Sequence, residues 1–433
     1  MMPVYVAFVM ALFAAPVLAQ TTAIVGGTVA IGDGSQPIPD GTVIFRNDRI
    51  VAAGAGIAVP PGATVIDAHG KWVAAGMVAG FSSLGLLDID SVLESNDTSA
   101  PKSPFGAAID VAPAINPDSA VVGMERAGGI TRAIVAPSSS GSIFAGQGAV
   151  IDVGVDSPPI TRARAFQYVE LGEDGARAAG GSRPAAYAAL HDAFSQAEDY
   201  GHSSKDFDGR ASNSLIKRPD AAALLNVLDG KTRLLIHVER ASDIRSALAL
   251  KKEYPRLNLV LVGAAEGWMV ASSIAAAQVP VIAAGLSDLP EAFERLAATE
   301  SNVGRLDKAG VVVAISTINM TEPAQQRRLN QQAGNLVGIG RLPGMTGLDW
   351  GHAFATITSR PAQALGMDAQ IGSLRPGRQA DIVIWDGDPL EVTSAPVAIY
   401  IDGKPQPTAS RQTELRDRYM NPMRGNLPKA YER

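Results

Sequence analysis

Apolar and polar positions alternate in short runs at both ends of the chain. Between residues 22 and 68, β-type runs are separated by turns such as Pro60-Pro61-Gly62, and the same pattern returns between residues 372 and 404. Short runs bounded by Gly, Pro and Asn turns are typical of β-strands. Because the two segments flank one long middle region, we predict that the chain ends lie together and form a small discontinuous β-sandwich.

The middle of the chain, about residues 72–366, alternates apolar strands with helical stretches. The predicted strands are Val73–Gly80, Ile130–Ala136, Arg233–Val238, Asn258–Val262, Val279–Ala283 and Val311–Ser316. The predicted helices are Pro117–Ala127, Ala185–Glu198, Ala221–Leu228, Ser242–Tyr254, Gly267–Ala277, Pro290–Thr299, Pro323–Leu336 and Gly347–Ser359. This rhythm, over a length near the ~250 residues usual for the fold, predicts an α/β protein with a (β/α)8 TIM-like barrel. A doubly wound open sheet is the alternative, but no Gly-rich dinucleotide loop follows the first strand.

The first 19 residues form an almost continuous apolar run that ends in Val17-Leu18-Ala19 before Gln20. A small-residue ending is typical of a cleaved signal peptide, and the run is too short to span a membrane comfortably. No Lys or Arg precedes the run, and a buried N-terminal strand or helix is the alternative. We predict cleavage after Ala19 and export to the periplasm or the medium, with no transmembrane anchor.

These patterns together predict five parts of the chain. They are a signal peptide at 1–19, the first part of the β-sandwich at 20–70, the barrel at 71–367, the second part of the β-sandwich at 368–405, and a polar C-terminal extension at 406–433.

Composition excludes several classes of function. The 433 residues carry a formal net charge of −6, and no basic cluster is dense enough to predict a nucleic-acid partner. The chain has no cysteine, which removes thiolate metal ligands and thiolate nucleophiles and suits an exported protein without disulfides. Neither a Gly-x-Ser-x-Gly nucleophile elbow nor a phosphate-binding loop occurs.

Two segments carry a resemblance to a known family. The first is Val65–Asp88, VIDAHGKWVAAGMVAGFSSLGLLD, and the second is Gly372–Asp388, GSLRPGRQADIVIWDGD, which follows RPAQALG at 360–366. Together they resemble the imidazolonepropionase-type amidohydrolases, and the resemblance covers nearly all of residues 22–405. It implies metal-assisted hydrolysis of C–N bonds other than peptide bonds. In that chemistry one or two divalent ions lower the pKa of a bound water, and a barrel Asp takes its proton.

The resemblance also places the family's metal ligands on this sequence. The paired histidines of the first strand fall on Phe81 and Ser83, and the histidine of the fifth strand falls on His237. The histidine of the sixth strand falls on Gly263, and the aspartate of the last strand falls on Ile318. Because only His237 is retained, we expect no bound cofactor, with a residual divalent ion such as Zn²⁺ as the alternative.

The remaining histidines and carboxylates do not supply a replacement metal site. The chain has five histidines, no two of which stand two residues apart: His69, His191, His202, His237 and His352. Apart from His237, they are expected to be surface or helix-packing side chains. A bridging Lys or Glu cannot be placed, and Glu170 is the nearest carboxylate. Asp88 and Asp90, just past the first strand, are expected to be solvated loop acids.

Other catalytic arrangements have weaker support in the sequence. Ser82 and Ser83 could face His237 across the end of the barrel as a nucleophile with its base, but adjacent serines at a strand end are more often hydrogen-bonding filler. The loop Ser138–Ser142 could line a pocket through its backbone N–H groups, although Gly/Ser-rich loops are commonly simple turns.

Two functions of different class follow from these observations. The first is an exported hydrolase of C–N bonds that works by a metal-poor or altered mechanism. The second is a non-catalytic binding or assembly subunit, in a homo-oligomer or in a complex with an intact amidohydrolase paralogue. Replacement of four of the five assignable ligands favours the second function as a mechanism, whereas the resemblance favours the first as an ancestry.

Overall fold

The structure is a computed structural model that describes residues 20–89, 92–155, 158–204, 216–318 and 325–420. The predicted signal peptide at 1–19, Asp90 and the last part of the C-terminal extension lie outside the described residues. In these ranges the chain forms sixteen strands and eleven α-helices.

The strands fall into a terminal group and a central group. The terminal strands are β1 (Thr21–Ala30), β2 (Ile38–Arg46), β3 (Arg49–Gly54), β4 (Thr64–Asp67), β5 (Trp72–Ala75), β14 (Ile382–Trp385), β15 (Pro396–Ile401) and β16 (Lys404–Gln406). The central strands are β6 (Met77–Ser82), β7 (Ile130–Val135), β8 (Phe144–Asp152), β9 (Ile160–Glu170), β10 (Arg233–Val238), β11 (Leu259–Gly263), β12 (Val281–Ala284) and β13 (Val313–Ser316).

Most of the helices lie between the central strands. They are α1 (Ala120–Ala127), α2 (Glu173–Ala178), α3 (Arg183–His202), α4 (Arg218–Leu228), α5 (Ala241–Glu253), α6 (Ala271–Ala276), α7 (Asn302–Lys308), α8 (Leu329–Ile339), α9 (Trp350–Ala355), α10 (Ser359–Ala364) and α11 (Arg411–Tyr419). The helix expected at Pro290–Thr299 is wrong. Only one 3-10 turn forms there, at Phe293–Arg295, and its apolar side chain Phe293 is exposed to solvent.

The eight central strands form one nearly closed barrel sheet in sequence order from β6 to β13. The first and last strands meet through Ser316, whose Oγ donates to the carbonyl of Phe81 at 2.6 Å and accepts from its backbone N–H at 2.9 Å. The expectation of a mixed α/β fold built around a barrel is confirmed. The six strands expected in this region all lie in the sheet.

The barrel departs from a strict (β/α)8 pattern at β8, which runs antiparallel to both β7 and β9. Sequence patterning missed β8 and β9, because two glycines interrupt the first strand and polar residues open the second. Close packing explains one of the glycines. A Cβ at Gly148 would lie 2.0 Å from the ring of Phe166 on β9, so a larger residue does not fit.

The terminal strands from both chain ends form a single sheet in the order β16-β15-β14-β5-β1-β2-β3, with β4 paired to β1. The expectation that the chain ends lie together therefore holds, although sandwich packing and the exact domain boundaries stay predictions. The chain passes from this sheet to the barrel at Gly76. A Cβ there would lie 2.2 Å from Thr131 Oγ1, so only glycine fits the crossing.

A buried ion network joins the two sheets. Arg132 on β7 donates from Nε and Nη2 to the two carboxylate oxygens of Asp381, at 2.7 and 3.0 Å, and also contacts Asp402. A third aspartate, Asp152 on β8, lies 3.8 Å from the guanidinium. Burial lowers the pKa of Arg132, but the surrounding carboxylates outweigh it and raise that pKa above its ordinary value.

No helix in the described ranges is long and apolar enough to cross a membrane.

Candidate functional site

Five parallel barrel strands end beside one pocket, here called the mouth pocket. It has a volume of about 420 Å³ and is lined by Phe81, Ser82, Ser83, Leu87, Asn96, Thr98, Ala136, Pro137, Ser138, Ser139, Tyr168, Glu170, Asp174, His237, Thr317 and Ile318. The C-terminal end of a barrel is where the active sites of such folds lie. Four of the five positions singled out in the sequence line this pocket, and the fifth, Gly263, is not among the lining residues.

His237 on β10 is buried between two carboxylates. Its Nδ1 lies 2.6 Å from Glu170 Oε1, and its Nε2 lies 3.2 Å from Glu239 Oε1. Burial by itself lowers the pKa of His237, but the charges and hydrogen bonds of the two carboxylates outweigh burial and raise that pKa well above its ordinary value. The two carboxylates therefore favour the charged form of the ring, in which both nitrogens can donate hydrogen bonds.

Glu170, at the end of β9, has polar partners on both carboxylate oxygens. Besides His237, its Oε1 accepts from the backbone N–H of Gly172 at 3.2 Å, and its Oε2 accepts from the Tyr168 hydroxyl at 3.1 Å. Burial raises the pKa of Tyr168, and the negative charge of Glu170 raises it further. Tyr168 therefore keeps its proton and remains a hydrogen-bond donor to Glu170.

Glu239 fills space beside the end of β11. Its Oε2 accepts from the backbone N–H of Ala265 at 2.8 Å. A Cβ placed on Gly263 would lie 2.7 to 2.8 Å from the Glu239 carboxylate, and Gly263 has a φ of +87°. The strand position where the resembled family carries a histidine therefore has no room for a side chain, because a carboxylate from the neighbouring strand stands in the way.

The opposite wall of the mouth pocket is aromatic and aliphatic. The rings of Phe81 and Tyr168 meet edge to face, with centroids 5.1 Å apart. Ile318 is 8% exposed and belongs to an apolar cluster against which Phe81 packs. Neither side chain has an atom that can ligate a metal. The pocket beside these residues is open.

The serines predicted as alternative nucleophiles have other roles. Ser82 Oγ is buried and donates to the carbonyl of Ile134 at 3.1 Å. Ser83 lines the mouth pocket, and no described hydrogen bond joins either serine to His237. Ser139 in the loop after β7 also lines the pocket, and its Oγ donates to the carbonyl of Ser142 at 2.6 Å.

The other predicted residues lie away from the pocket lining. The Oδ2 atom of Asp88 accepts from Asn116 at 3.0 Å. The remaining histidines are in separate places: His69 beside Asp67, His191 beside Glu253, His202 at the end of α3 and His352 beside Asp307. The structure brings none of these four imidazoles to His237.

A further acidic group behind the pocket was missed by sequence reasoning. Glu294 is 6% exposed and accepts from the backbone N–H of Glu173 at 2.7 Å and from Arg183 Nη2 at 2.9 Å. Burial raises the pKa of Glu294, although the charge of His237 partly opposes that effect. The only sequence signal for Glu239 was its position two residues after His237, and no signal marked Glu294, which lies 121 residues from its contact at Glu173.

The residues around the mouth pocket do not fit a catalytic zinc ion. Zinc binds the lone pair of a neutral imidazole, whereas both nitrogens of His237 lie against carboxylates that raise the pKa of the ring and so favour its charged form. Phe81, Gly263 and Ile318 offer no donor atom. Within the described part of the chain, no group of three or more His, Asp or Glu residues stands in an arrangement that could hold a metal.

Comparisons with known proteins agree with the barrel and the terminal sheet. A sequence model of an amidohydrolase family matches residues 314–406. The amidohydrolase tasK of Hapsidospora irregularis is 24% identical over 381 residues, which is 80% of this chain. The chain spans about 38% of the length of that curated relative.

Among solved structures, an amidohydrolase from Thermotoga maritima MSB8 superposes with a TM-score of 0.76 at 24% identity, covering 89% of this chain and 99% of that one. Molinate hydrolase gives a TM-score of 0.54 at 18% identity, covering 90% and 95% of the two chains. Phenylurea hydrolase B gives 0.53 at 16% identity, covering 91% and 98%. At these identities the superpositions establish the fold alone.

Proposed function

Because the chain belongs to the amidohydrolase superfamily, we propose that it is a member whose barrel mouth binds a small molecule and no longer performs metal-dependent hydrolysis. By homology it descends from hydrolases of C–N bonds.

The observation that carries the proposal is the position of His237 between Glu170 and Glu239. A metal ion at this place would have to displace a carboxylate and a proton from the imidazole, which are held together in a buried site. Among the other ligand positions, Phe81, Gly263 and Ile318 have no side-chain donor atom, and Ser83 offers only a neutral hydroxyl.

The pocket itself supports a binding role. Its volume of about 420 Å³ lies within the range of pockets that hold small molecules, and it combines apolar walls with a few polar groups. Phe81 and Tyr168 supply the aromatic surface, and hydroxyl groups such as that of Thr317 supply hydrogen-bonding positions. This combination suits recognition of a compact ligand with both polar and apolar parts.

Hydrolysis by general acid–base catalysis without a metal has less support. A general base must be unprotonated at the working pH, whereas the raised pKa of His237 favours the charged form of its ring. No described hydrogen bond links Ser82 or Ser83 to a base. We therefore expect no turnover of molinate or of phenylureas, the compounds named in two of the structural relatives.

Export and assembly belong to the same proposal. The apolar run at 1–19 supports a mature protein that begins at Gln20 in the periplasm or the medium. The proposed partner is a second copy of this chain or an intact paralogue, because a non-catalytic subunit needs another chain to supply activity. N-terminal sequencing of the periplasmic fraction tests the first part, and retention of Met1 on the purified cellular protein would contradict it.

Metal content and turnover test the central part of the proposal. After dialysis against a mild chelator, the purified protein should hold far less than one zinc ion per chain by plasma mass spectrometry. Amide and urea substrates should show no turnover above buffer with zinc, manganese or cobalt added. Stoichiometric metal, together with metal-dependent hydrolysis that disappears in His237→Ala but not in His352→Ala, would contradict the proposal.

A further inference from the structure

The mouth pocket has an acidic lining. Besides the phenol of Tyr168, three of its described lining residues are ionisable, namely Glu170, Asp174 and His237, and none of the described lining residues is Lys or Arg. His237 lies between Glu170 and Glu239, so two carboxylates surround one imidazole and outnumber its potential positive charge. Asp174 adds another carboxylate at the pocket edge.

The charge of Asp174 is only weakly compensated. Its Oδ1 lies 2.7 Å from Arg177 Nη2 on the surface of α2, and the two side chains are 65% and 75% exposed. Exposed ion pairs of this kind are weak and are screened by salt. The phenol of Tyr168 in the pocket wall has a raised pKa, caused first by burial and then by the negative charges of Glu170, Glu239 and Asp174.

The aromatic wall of the pocket also favours a positively charged ligand. Phe81 and Tyr168 both line the pocket and meet edge to face at 5.1 Å. The face of an aromatic ring attracts an ammonium or guanidinium group, because the ring quadrupole is negative there. An anion would have no basic partner on the described wall except an imidazolium that two carboxylates already hold.

Two hydroxyl groups on the wall direct their hydrogens away from a ligand. Thr98 Oγ1 donates to Asn96 Oδ1 at 2.6 Å, and Ser139 Oγ donates to the carbonyl of Ser142 at 2.6 Å. A hydroxyl has one hydrogen and two lone pairs, so each of these oxygens can still accept a hydrogen bond. The pocket therefore offers acceptors to a group rich in N–H donors.

Resting on the proposed function as a binding pocket, we infer that the mouth pocket takes a small organic cation, an amine or guanidine with a compact apolar body. The carboxylates and hydroxyl oxygens receive the charged N–H groups, and Phe81, Tyr168 and Ile318 contact the apolar body. A bare metal ion does not match this wall, because it gains nothing from the hydrocarbon surface of Phe81 and Ile318.

Three probes of similar size and different charge test the inference on the full-length protein. Butylamine, 1-butanol and butyrate are titrated separately, and binding is followed by saturation-transfer NMR. Butylamine should bind about tenfold more tightly than 1-butanol, as a cation on an acidic and aromatic wall should. Raising the salt concentration should weaken the amine and leave the alcohol unchanged. Butyrate should show no saturable binding.

A matched pair of variants localises the effect. Asp174→Asn removes an exposed pocket carboxylate without touching the buried cluster, and it should weaken butylamine binding roughly two- to fivefold. Glu198→Gln removes an exposed carboxylate from α3 and should leave binding unchanged. Both variants keep the fold, because both side chains are exposed.

The outcomes separate this inference from the proposed function. Equal affinity for butylamine and 1-butanol, unchanged in Asp174→Asn, would overturn the cation preference and leave a binding pocket. Absence of saturable binding by all three probes would overturn the inference and the binding role together. Metal-dependent turnover, measured independently of these titrations, would overturn the proposed loss of hydrolysis.

Discussion

Two buried ion networks lie on the barrel strands, and they differ in the cation at their centre. Arg132 on β7 is surrounded by aspartates, and His237 on β10 is held by glutamates, with side chains only 2% and 10% exposed. A guanidinium keeps its proton at every pH that a folded protein tolerates, whereas an imidazolium can lose it. The charge of the cation in the first network is therefore fixed, whereas the charge of the cation in the second network depends on one proton of His237, beside the mouth pocket.

The two cations also differ in where their carboxylate partners lie along the chain. Arg132 reaches Asp381, which is 249 residues away in the chain and belongs to the terminal sheet. His237 reaches Glu170 on the adjacent strand and Glu239 only two residues further along the chain. The arginine network joins the two sheets, whereas the histidine network shapes the barrel mouth.

The largest expected effect comes from removing Arg132 from the buried network that joins the two sheets. Arg132→Met should lower the free energy of unfolding by about 3–5 kcal/mol, because it leaves buried carboxylates without their cation. Arg256→Met is the control, since Arg256 pairs with Asp229 at the surface and is 72% exposed. Its effect should stay below about 1 kcal/mol. Equal losses of unfolding free energy for the two variants in urea denaturation would show that the buried network stabilises the fold no more than a surface ion pair.

The second prediction removes the cation from the barrel mouth. His237→Ala should lower the free energy of unfolding by about 2–4 kcal/mol, since two carboxylates then face each other without a positive charge. His352→Ala, which removes a 40% exposed imidazole beside Asp307, should cost less than about 1 kcal/mol. A change in His237→Ala no larger than in the control would mean that the histidine is not the centre of a network.

A third prediction isolates the contact at the end of β11. Gly263→Ala places a Cβ 2.7 to 2.8 Å from the Glu239 carboxylate, whereas Gly310→Ala at a similar φ of +83° meets nothing within 4 Å. Because backbone strain is matched, the difference in unfolding free energy reports the clash. Gly263→Ala should be the less stable by about 1–2 kcal/mol. Equal stability would place the Glu239 side chain elsewhere.

The smallest effect concerns pH. The folded pKa of His237 lies well above its unfolded value, so its stabilising contribution is complete below about pH 6.5 and is lost as pH rises through the folded pKa. The stability difference between the unmodified protein and His237→Ala should therefore shrink at alkaline pH. Denaturation curves at several pH values measure this difference in unfolding free energy. A difference that grows with pH would contradict a raised pKa of His237 in the folded state.

Sequence patterning was sufficient for much of the fold because apolar runs mark buried strands directly. It located six barrel strands and the terminal β segments, and the family resemblance placed Phe81, Ser83, His237 and Ile318 around one pocket. Strands β8 and β9 were missed since their Gly and polar residues are explained only by close packing of the pair, as at Gly148 against Phe166.

The electrostatics of the site were not predictable in the same way. The resemblance placed His237 at a metal-ligand position with Glu239 two residues further along the chain, and only the tertiary structure shows that Glu170 and Glu239 lie against both of its ring nitrogens. The pairing of Arg132 with Asp381 likewise depends on two sheets meeting. Burial and charge pairing are properties of the packed chain, and no local pattern in the sequence encodes them.

The protonation state of His237 tests the central claim most directly. Long-range ¹H–¹⁵N NMR on protein with ¹⁵N-labelled histidine, assigned with His237→Gln, reports whether each ring nitrogen carries a hydrogen. The account predicts that both nitrogens stay protonated between about pH 6 and 8 and do not respond to added Zn²⁺. A neutral ring that titrates near its ordinary pKa, or a ring nitrogen that shifts on addition of zinc, would contradict it.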